Sequence, residues 1–194
     1  MRISTPAALL LAAALTVLGA CLPADAAEPE LKPGDALPEA RIEPSAGKAV
    51  RDLEWLDLIP EADRKAASLA PPTPMHDYLS GEGSPAASQP MQYSINQDLD
   101  GQRVRLPGFV VPLELDAKGE IIEMFLVPYF GACIHVPPPA PNQIVHVKLK
   151  EGLKADSMYA AFWITGPLKV ARTSTRLGAS TYSIEAERIE EYQF

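Results

Sequence analysis

The chain has 194 residues, which is enough for one domain with extensions and too short for two full-sized domains. Apolar residues make up 47% and charged residues 22%, a composition typical of a globular protein with a buried core. The formal net charge of −8 argues against a dedicated nucleic-acid binder, because phosphate backbones attract clustered Lys and Arg. The chain has only two cysteines, which excludes a disulfide scaffold and a four-cysteine zinc module.

Residues 1–27 have the layout of a secretory signal peptide, with one basic residue, an apolar run too short to span a membrane, and small residues after it. Two cleavage sites compete. The tetrapeptide LGAC, which ends at Cys21, is typical of lipoproteins, whereas ADA at 24–26 is typical of ordinary cleavage after Ala26. We expect a lipid on Cys21 and a location in the periplasm or cell envelope, the alternative being a soluble periplasmic protein. In either form the mature chain keeps one free thiol, that of Cys133.

Residues 28–97 are irregular and rich in proline, which predicts a tether or strap. The apolar residues that precede Pro60 have helical spacing. We therefore expect one or two short helices near residues 51–69, the first of them ending at Pro60.

From residue 98 onward, short apolar runs, some of them alternating with polar residues, are separated by turn signals, which predicts β-strands. We predict that residues 98–194 form a mainly β domain, a small antiparallel OB-like β-barrel or, alternatively, a small β-sandwich. Pro107 and Gly108 indicate a bend or bulge in the first strand pair. The expected strands cover residues 103–106, 108–115, 120–127, 142–150, 158–165, 168–173 and 181–187.

One segment, residues 127–143 with the sequence VPYFGACIHVPPPAPNQ, is unlike an ordinary strand, and we call it the box. Its Cys133 and His135 are two residues apart, so in an extended chain both side chains would lie on one face, about 7 Å apart. A thiolate and an imidazole are suitable ligands for zinc, copper or iron(II). The prolines that follow predict a stiff polyproline II path; they are Pro137, Pro138, Pro139 and Pro141.

A third metal ligand has to come from outside the box. His146 on the next strand is the first candidate, and Glu114 near the end of an earlier strand is the second. Asn142 and Gln143 offer only amides, which are better suited to hydrogen bonding around a site or to the backbone. Cys-x-His is a weak motif by itself, and a small buried Cys beside an unrelated His is the plain alternative.

Thiol-dependent catalysis is a further hypothesis. Cys133 would be the nucleophile, His135 or His146 the base, and Asn142 or Gln143 the orienting group. Neighbouring strand positions rarely give the required contact, and the chain has no phosphate-binding glycine loop, G-x-S-x-G or H-E-x-x-H motif. We therefore predict no catalytic residue.

Partner docking is the hypothesis from a different class. Tyr129 and Phe130, with the proline run that follows them, would form a rigid apolar patch on the surface. Asn142 and Gln143 would then belong to the docking surface and not to the surroundings of a metal.

The box resembles the signature of a bacterial exported family of unknown function, domain of unknown function family 3299 (DUF3299). The resemblance extends to WLDLIP at 55–60, to RVRLPGFVVPLE at 103–114 and to residues 166–185. It implies an envelope protein, often a lipoprotein, with no established activity. Members tend to be encoded near ATP-binding-cassette transport components and, in some bacteria, in zinc-responsive gene clusters. The resemblance therefore implies zinc as the cofactor and an ABC transporter or another envelope protein as the partner.

We expect, in sum, a non-enzymatic cell-envelope protein that binds a transition metal, zinc first, and serves metal handling or an associated transport system. The expected ligands are Cys133, His135, His146 and Glu114. The alternative is an accessory lipoprotein that docks a transporter or envelope partner through the box, and a thiol-dependent enzyme is third. Membrane contact through the N-terminal lipid alone, no nucleic acid and no small-molecule substrate complete the prediction.

Overall fold

The computed structural model describes residues 31–37, 49–65, 89–90, 94–154, 156 and 160–193. The predicted signal peptide with Cys21, and the proline-rich stretch from 66 to 88, lie outside the described residues. The described ranges contain no helix of the length and apolarity needed to cross a membrane.

The described residues form seven strands, three short 3₁₀ turns and one four-residue helix. The strands are β1 (Arg51–Asp52), β2 (Arg103–Leu115), β3 (Ile121–Val127), β4 (Val145–Leu153), β5 (Ala161–Thr175), β6 (Gly178–Glu185) and β7 (Arg188–Glu191). The 3₁₀ turns are η1 (Trp55–Leu58), η2 (Gln97–Leu99) and η3 (Pro141–Gln143), and the helix is α1 (Glu61–Arg64).

Five of the strands close into a barrel. They follow the order β2-β3-β4-β6-β5, and β5 pairs with β2 to complete the ring. β1 pairs with β2 and β7 pairs with β5, so both lie beside the ring rather than in it. Four of the five ring pairings are antiparallel, whereas β4 and β6 run parallel. This is the Greek-key arrangement of a small OB-like barrel.

Alternate residues of the strands face the barrel interior, because successive side chains of a strand point to opposite faces. The interior cluster includes Leu106 on β2, Leu126 on β3 and Val145 on β4, all fully buried. Trp55 of η1 packs into the same cluster, and its indole N–H donates to the carbonyl of Pro107 over 2.8 Å. A Cβ on Gly108 would lie 2.5 Å from Leu126 Cγ, so only glycine lets β2 approach this packing.

The opposite faces of β2, β3 and β5 also carry apolar side chains, and these form a second cluster outside the barrel. Trp163 on β5 packs beneath the Arg105 guanidinium, 4.1 Å from the ring centroid, and beside the Tyr192 ring. The box and the C-terminal segment cover this outer cluster, whose buried members are Phe109, Val111, Phe125, Val127, Tyr129, Ala132, Val136, Ile144, Ala161, Trp163 and Tyr192.

The structure confirms the predicted mainly β, OB-like barrel, since β5 closes on β2 where a sandwich would leave two open sheets. It differs from the prediction in several details. β2 and β5 each join two predicted strands into one, the β4–β6 pairing is parallel, and the bulge of β2 lies near Glu114 and not at Pro107. The expected helix before Pro60 is the single 3₁₀ turn η1, and α1 follows that proline.

Candidate functional site: the proline-rich box

The box connects β3 to β4 and folds back onto the outside of the barrel. Tyr129 and Val136 are buried in the outer cluster, and Phe130 packs edge-to-face on Phe109, with ring centroids 5.6 Å apart. The Tyr129 hydroxyl donates to the carbonyl of Pro137 over 3.0 Å. This bond joins the two ends of a turn that lies between Tyr129 and Pro137, and it helps to hold that turn against the barrel.

That central turn is organised around the carbonyl of Gly131. It accepts hydrogen bonds from the backbone N–H groups of Ile134, His135 and Val136 at 3.2, 2.8 and 3.2 Å. Gly131 has φ +77° and Cys133 has φ +65°, and these left-handed residues reverse the chain direction. The expected extended conformation, with Cys133 and His135 on one face of a strand, is therefore wrong.

The Cys133 side chain packs against the outer cluster and is only partly exposed. Burial raises the pKa of this thiol to about 12. Burial, with Cys133 as a neighbour, also raises the pKa of Tyr129 above its ordinary range. At neutral pH Cys133 keeps its proton, which opposes a role as a nucleophile because the thiolate is the reactive form.

The next two residues point away from the cluster. Ile134 is 55% exposed, and His135 beside it is exposed as well. We call Ile134 and His135 the tip. Among the described residues, Leu115 is the other large hydrophobic side chain with high exposure, at 52%. It pairs with Ile121 at the turn of the β2–β3 hairpin, whereas the box begins at Val127, at the other end of the β2–β3 ladder.

The end of the box is fixed by amide side chains that bind backbone groups. Asn142 donates to the carbonyl of Ser94 over 2.7 Å, and Gln143 donates to that of Trp55 over 3.0 Å. Both amides are buried. Gln89, which sequence reasoning did not single out, donates to the carbonyls of Pro139 and Ala179 at 2.9 and 2.7 Å. These bonds tie the proline run to the barrel.

A segment before the barrel, residues 31–37, packs against the box, and we call it the arm. The Gly34 N–H donates to the Phe130 carbonyl over 2.7 Å, and the Phe130 N–H donates to the Asp35 carbonyl over 2.9 Å. A Cβ on Gly131 would lie 3.0 Å from Pro33 Cβ, so glycine is needed here for close approach as well as for its backbone angle.

His146 and Glu114, the two candidate metal ligands outside the box, have surroundings different from those of Cys133 and His135. His146 is buried on β4, with its Nε2 2.6 Å from Glu123 Oε1 and its Nδ1 3.4 Å from Thr173 Oγ1. Its ring also packs edge-to-face on Phe125. Glu114 is exposed near the end of β2. Glu123 and Thr173 were missed in the sequence because only strand register brings them to His146.

The structure does not bring the four predicted ligands together. In the part of the chain that it describes, no three His, Cys, Asp or Glu side chains are grouped so that they could hold a metal ion. Metal binding through Cys133 and His135 stays a prediction, and the box as described is a folded, proline-stiffened loop with one exposed apolar tip.

Comparisons with known proteins agree with the resemblance seen in the sequence. Among curated proteins, none matches the chain. A crystal structure of a DUF3299 family protein from Pseudomonas aeruginosa PAO1 is similar, with 41% identity and a TM-score of 0.64, over 76% of this chain and 99% of that one. The family described as "Protein of unknown function (DUF3299)" matches residues 55–191. The chain therefore belongs to the DUF3299 family.

Proposed function

We propose that this protein is a non-enzymatic accessory protein of the cell envelope that docks a partner through the box. The observation that carries the proposal is the exposure of Ile134 on a turn whose backbone is fixed by three hydrogen bonds to one carbonyl. A rigid loop loses little conformational entropy when it binds, so an exposed side chain on such a loop is well suited to recognition. The exported, lipid-anchored location is taken from the sequence and is part of the proposal.

The surroundings of the box support docking over thiol chemistry. A nucleophilic thiol needs a lowered pKa and access to its substrate. Cys133 has the opposite properties, because it packs against apolar side chains that raise its pKa to about 12. In the proposal, the Cys133 side chain anchors the turn by packing on the outer cluster, while the tip is exposed to solvent.

Zinc binding at the box is kept as a prediction with its own test. Cys133 and His135 supply two donors, and a stable zinc site usually has four ligands. Metal binding would also have to displace the thiol proton. Elemental analysis of protein purified without a chelating tag decides the matter. Stoichiometric zinc that is lost in both Cys133→Ser and His135→Ala would establish a metal centre and would replace the docking proposal.

The docking proposal is tested by two matched charge substitutions. Ile134→Asp and Leu115→Asp each place a carboxylate at an exposed apolar position, one at the tip and one at the far end of the hairpin. We expect a membrane-fraction protein to copurify with the wild type and with Leu115→Asp, and its recovery to fall at least tenfold with Ile134→Asp. Equal recovery with both variants would contradict the proposal. Unchanged thermal unfolding of both variants is the control for folding.

A further inference from the structure

The arm connects the box to the N-terminal end of the chain, where the predicted lipid is attached. It is held by the paired hydrogen bonds between Gly34, Asp35 and Phe130. Pro33 packs on Gly131 at the base of the turn, and Leu31 and Leu37 pack against the outer cluster. The part of the molecule tied most directly to the N terminus is therefore the box itself.

We propose that the arm holds the tip beside the membrane, where it contacts an integral membrane protein. The inference rests on the proposed function and on the lipid at Cys21. From Cys21 to Leu31 the chain has ten residue steps, which reach about 35 Å when fully extended. Because the arm is docked on the box, this length limits how far the box lies from the bilayer surface.

Charge favours a protein over the lipid itself as the occupant of the tip. Peripheral proteins bind anionic headgroups through clusters of four to eight Lys or Arg. The exposed charges of the arm are one of each sign, Lys32 and Asp35, and the chain as a whole has a net charge of −8. The chemistry of the tip instead fits an apolar pocket that accepts Ile134, on the membrane-proximal surface of another protein.

Leu115 provides a reference position with which Ile134 can be compared. Leu115 pairs with Ile121, and Val127 pairs with Phe109, so the two ends of the β2–β3 ladder are six residues apart. At about 3.4 Å per residue this separates them by roughly 20 Å. A probe at position 115 therefore reports the end of the ladder opposite Val127, where the box begins, at nearly the same exposure as position 134.

The orientation is tested with the full acylated chain in phosphatidylethanolamine–phosphatidylglycerol vesicles. A fluorophore is placed at position 134 or 115 through a non-natural amino acid, and the acceptor is a headgroup-labelled lipid. We expect energy transfer from 134 to exceed that from 115 at least twofold. A 30-residue Gly-Ser insertion between residues 27 and 28 should abolish the difference. Equal transfer from both positions without the insertion would overturn the inference.

The occupant is tested by photocrosslinking from the same two positions in intact cells. We expect an adduct from 134, absent from 115, with a protein that stays in the membrane after alkaline extraction. Adducts from 134 with lipid alone would overturn the inference. So would a mature chain whose mass shows no lipid at Cys21, or an adduct with a soluble protein. That last result would leave the docking tip of the proposed function intact, so the two failures are distinguishable.

Discussion

The interior of the barrel and the box on its outside are held in different ways. Around the interior, five strands form a closed ring of ladders, and side chains from all of them meet in one buried cluster. The box has no ladder of its own within the described residues. It depends on apolar contacts with the outer cluster, on isolated bridges, and on side-chain amides that bind single carbonyls.

This difference indicates that the box can open independently of the barrel. Opening the box would break a few local contacts, whereas opening the barrel would break several ladders together. Local opening therefore has a lower free energy than global unfolding. The barrel serves as the frame, and the box with its arm is a separate layer that can open while the frame stays folded.

The largest expected effect comes from one and the same truncation made in each region. Val145→Ala removes two methyl groups from the fully buried interior and should lower the free energy of unfolding by about 2–3 kcal/mol. Val136→Ala removes the same groups from the box and should lower it by about 1 kcal/mol, because the covering loop can collapse onto the space. Urea unfolding measures both. Equal losses would mean that box and barrel unfold as one unit.

A smaller effect is expected from glycine substitutions that test whether the arm depends on its contact with the turn of the box. Gly131→Ala and Gly119→Ala both put a side chain on a left-handed backbone, which costs about 1–2 kcal/mol. Only at Gly131 does the new Cβ also meet Pro33, since nothing lies within 4 Å at Gly119. We expect faster amide exchange at Gly34 and Phe130 in Gly131→Ala alone. Unchanged exchange there would show that the arm does not depend on this contact.

The Cys133 thiol gives a pH-dependent test of the outer layer. Its pKa is about 12 in the folded chain against an ordinary value of 9.0, so the buried neutral thiol stabilises the fold fully below pH 9. That contribution is lost progressively as the pH rises from 9 toward 12. Cys133→Ala should flatten this part of the profile.

Tyr182 supplies the background for that comparison. Burial raises its pKa to about 12 as well, so wild type and Cys133→Ala share its alkaline loss of stability. The difference between the two urea-unfolding profiles therefore reports the thiol together with its electrostatic effect on Tyr129. Identical profiles between pH 8 and 11 would show that the Cys133 side chain ionises as freely in the folded chain as in the unfolded one.

The smallest effect is expected at the surface of the frame. Lys169 Nζ lies 3.3 Å from Glu185 Oε1, and their side chains are 55% and 62% exposed. Solvent screens such a pair, so Lys169→Ala should change the free energy of unfolding by less than about 0.5 kcal/mol. If thermal unfolding showed that Lys169→Ala lowers the free energy of unfolding by more than about 1 kcal/mol, this ion pair would contribute substantially to the β5–β6 pairing.

The sequence was sufficient to predict the class of fold, because short apolar or alternating runs separated by turn signals are typical of a small all-β domain. The closure of β5 on β2 and the parallel pairing of β4 with β6 are long-range events that periodicity does not encode. The joining of two predicted strands into β5 had the same cause, since Gly166 and Pro167 look like a turn in isolation but lie within the ladder to β2.

The box was located in the sequence but its shape was not. Gly131 signals a turn, whereas the left-handed backbone of Cys133 has no sequence signature. An extended chain was therefore expected, and with it a shared face for Cys133 and His135. The hydrogen bonds of Asn142 and Gln143 to backbone carbonyls follow from their amide chemistry, but their partners, Ser94 and Trp55, depend on the tertiary fold.

The parallel pairing of β4 with β6 has a consequence for the order of folding. β2, β3 and β4 are neighbours in sequence and can pair as a meander. The edge of β4 that does not face β3 stays unpaired until β6 binds to it. β6 arrives together with β5, its hairpin partner, which must at the same time find β2. Closure thus needs two non-local pairings, and pairings of this kind make β-barrels fold in milliseconds to seconds. Until that step the meander exposes two unpaired strand edges, which can pair with another chain, so slow closure leaves the unclosed chain prone to aggregation.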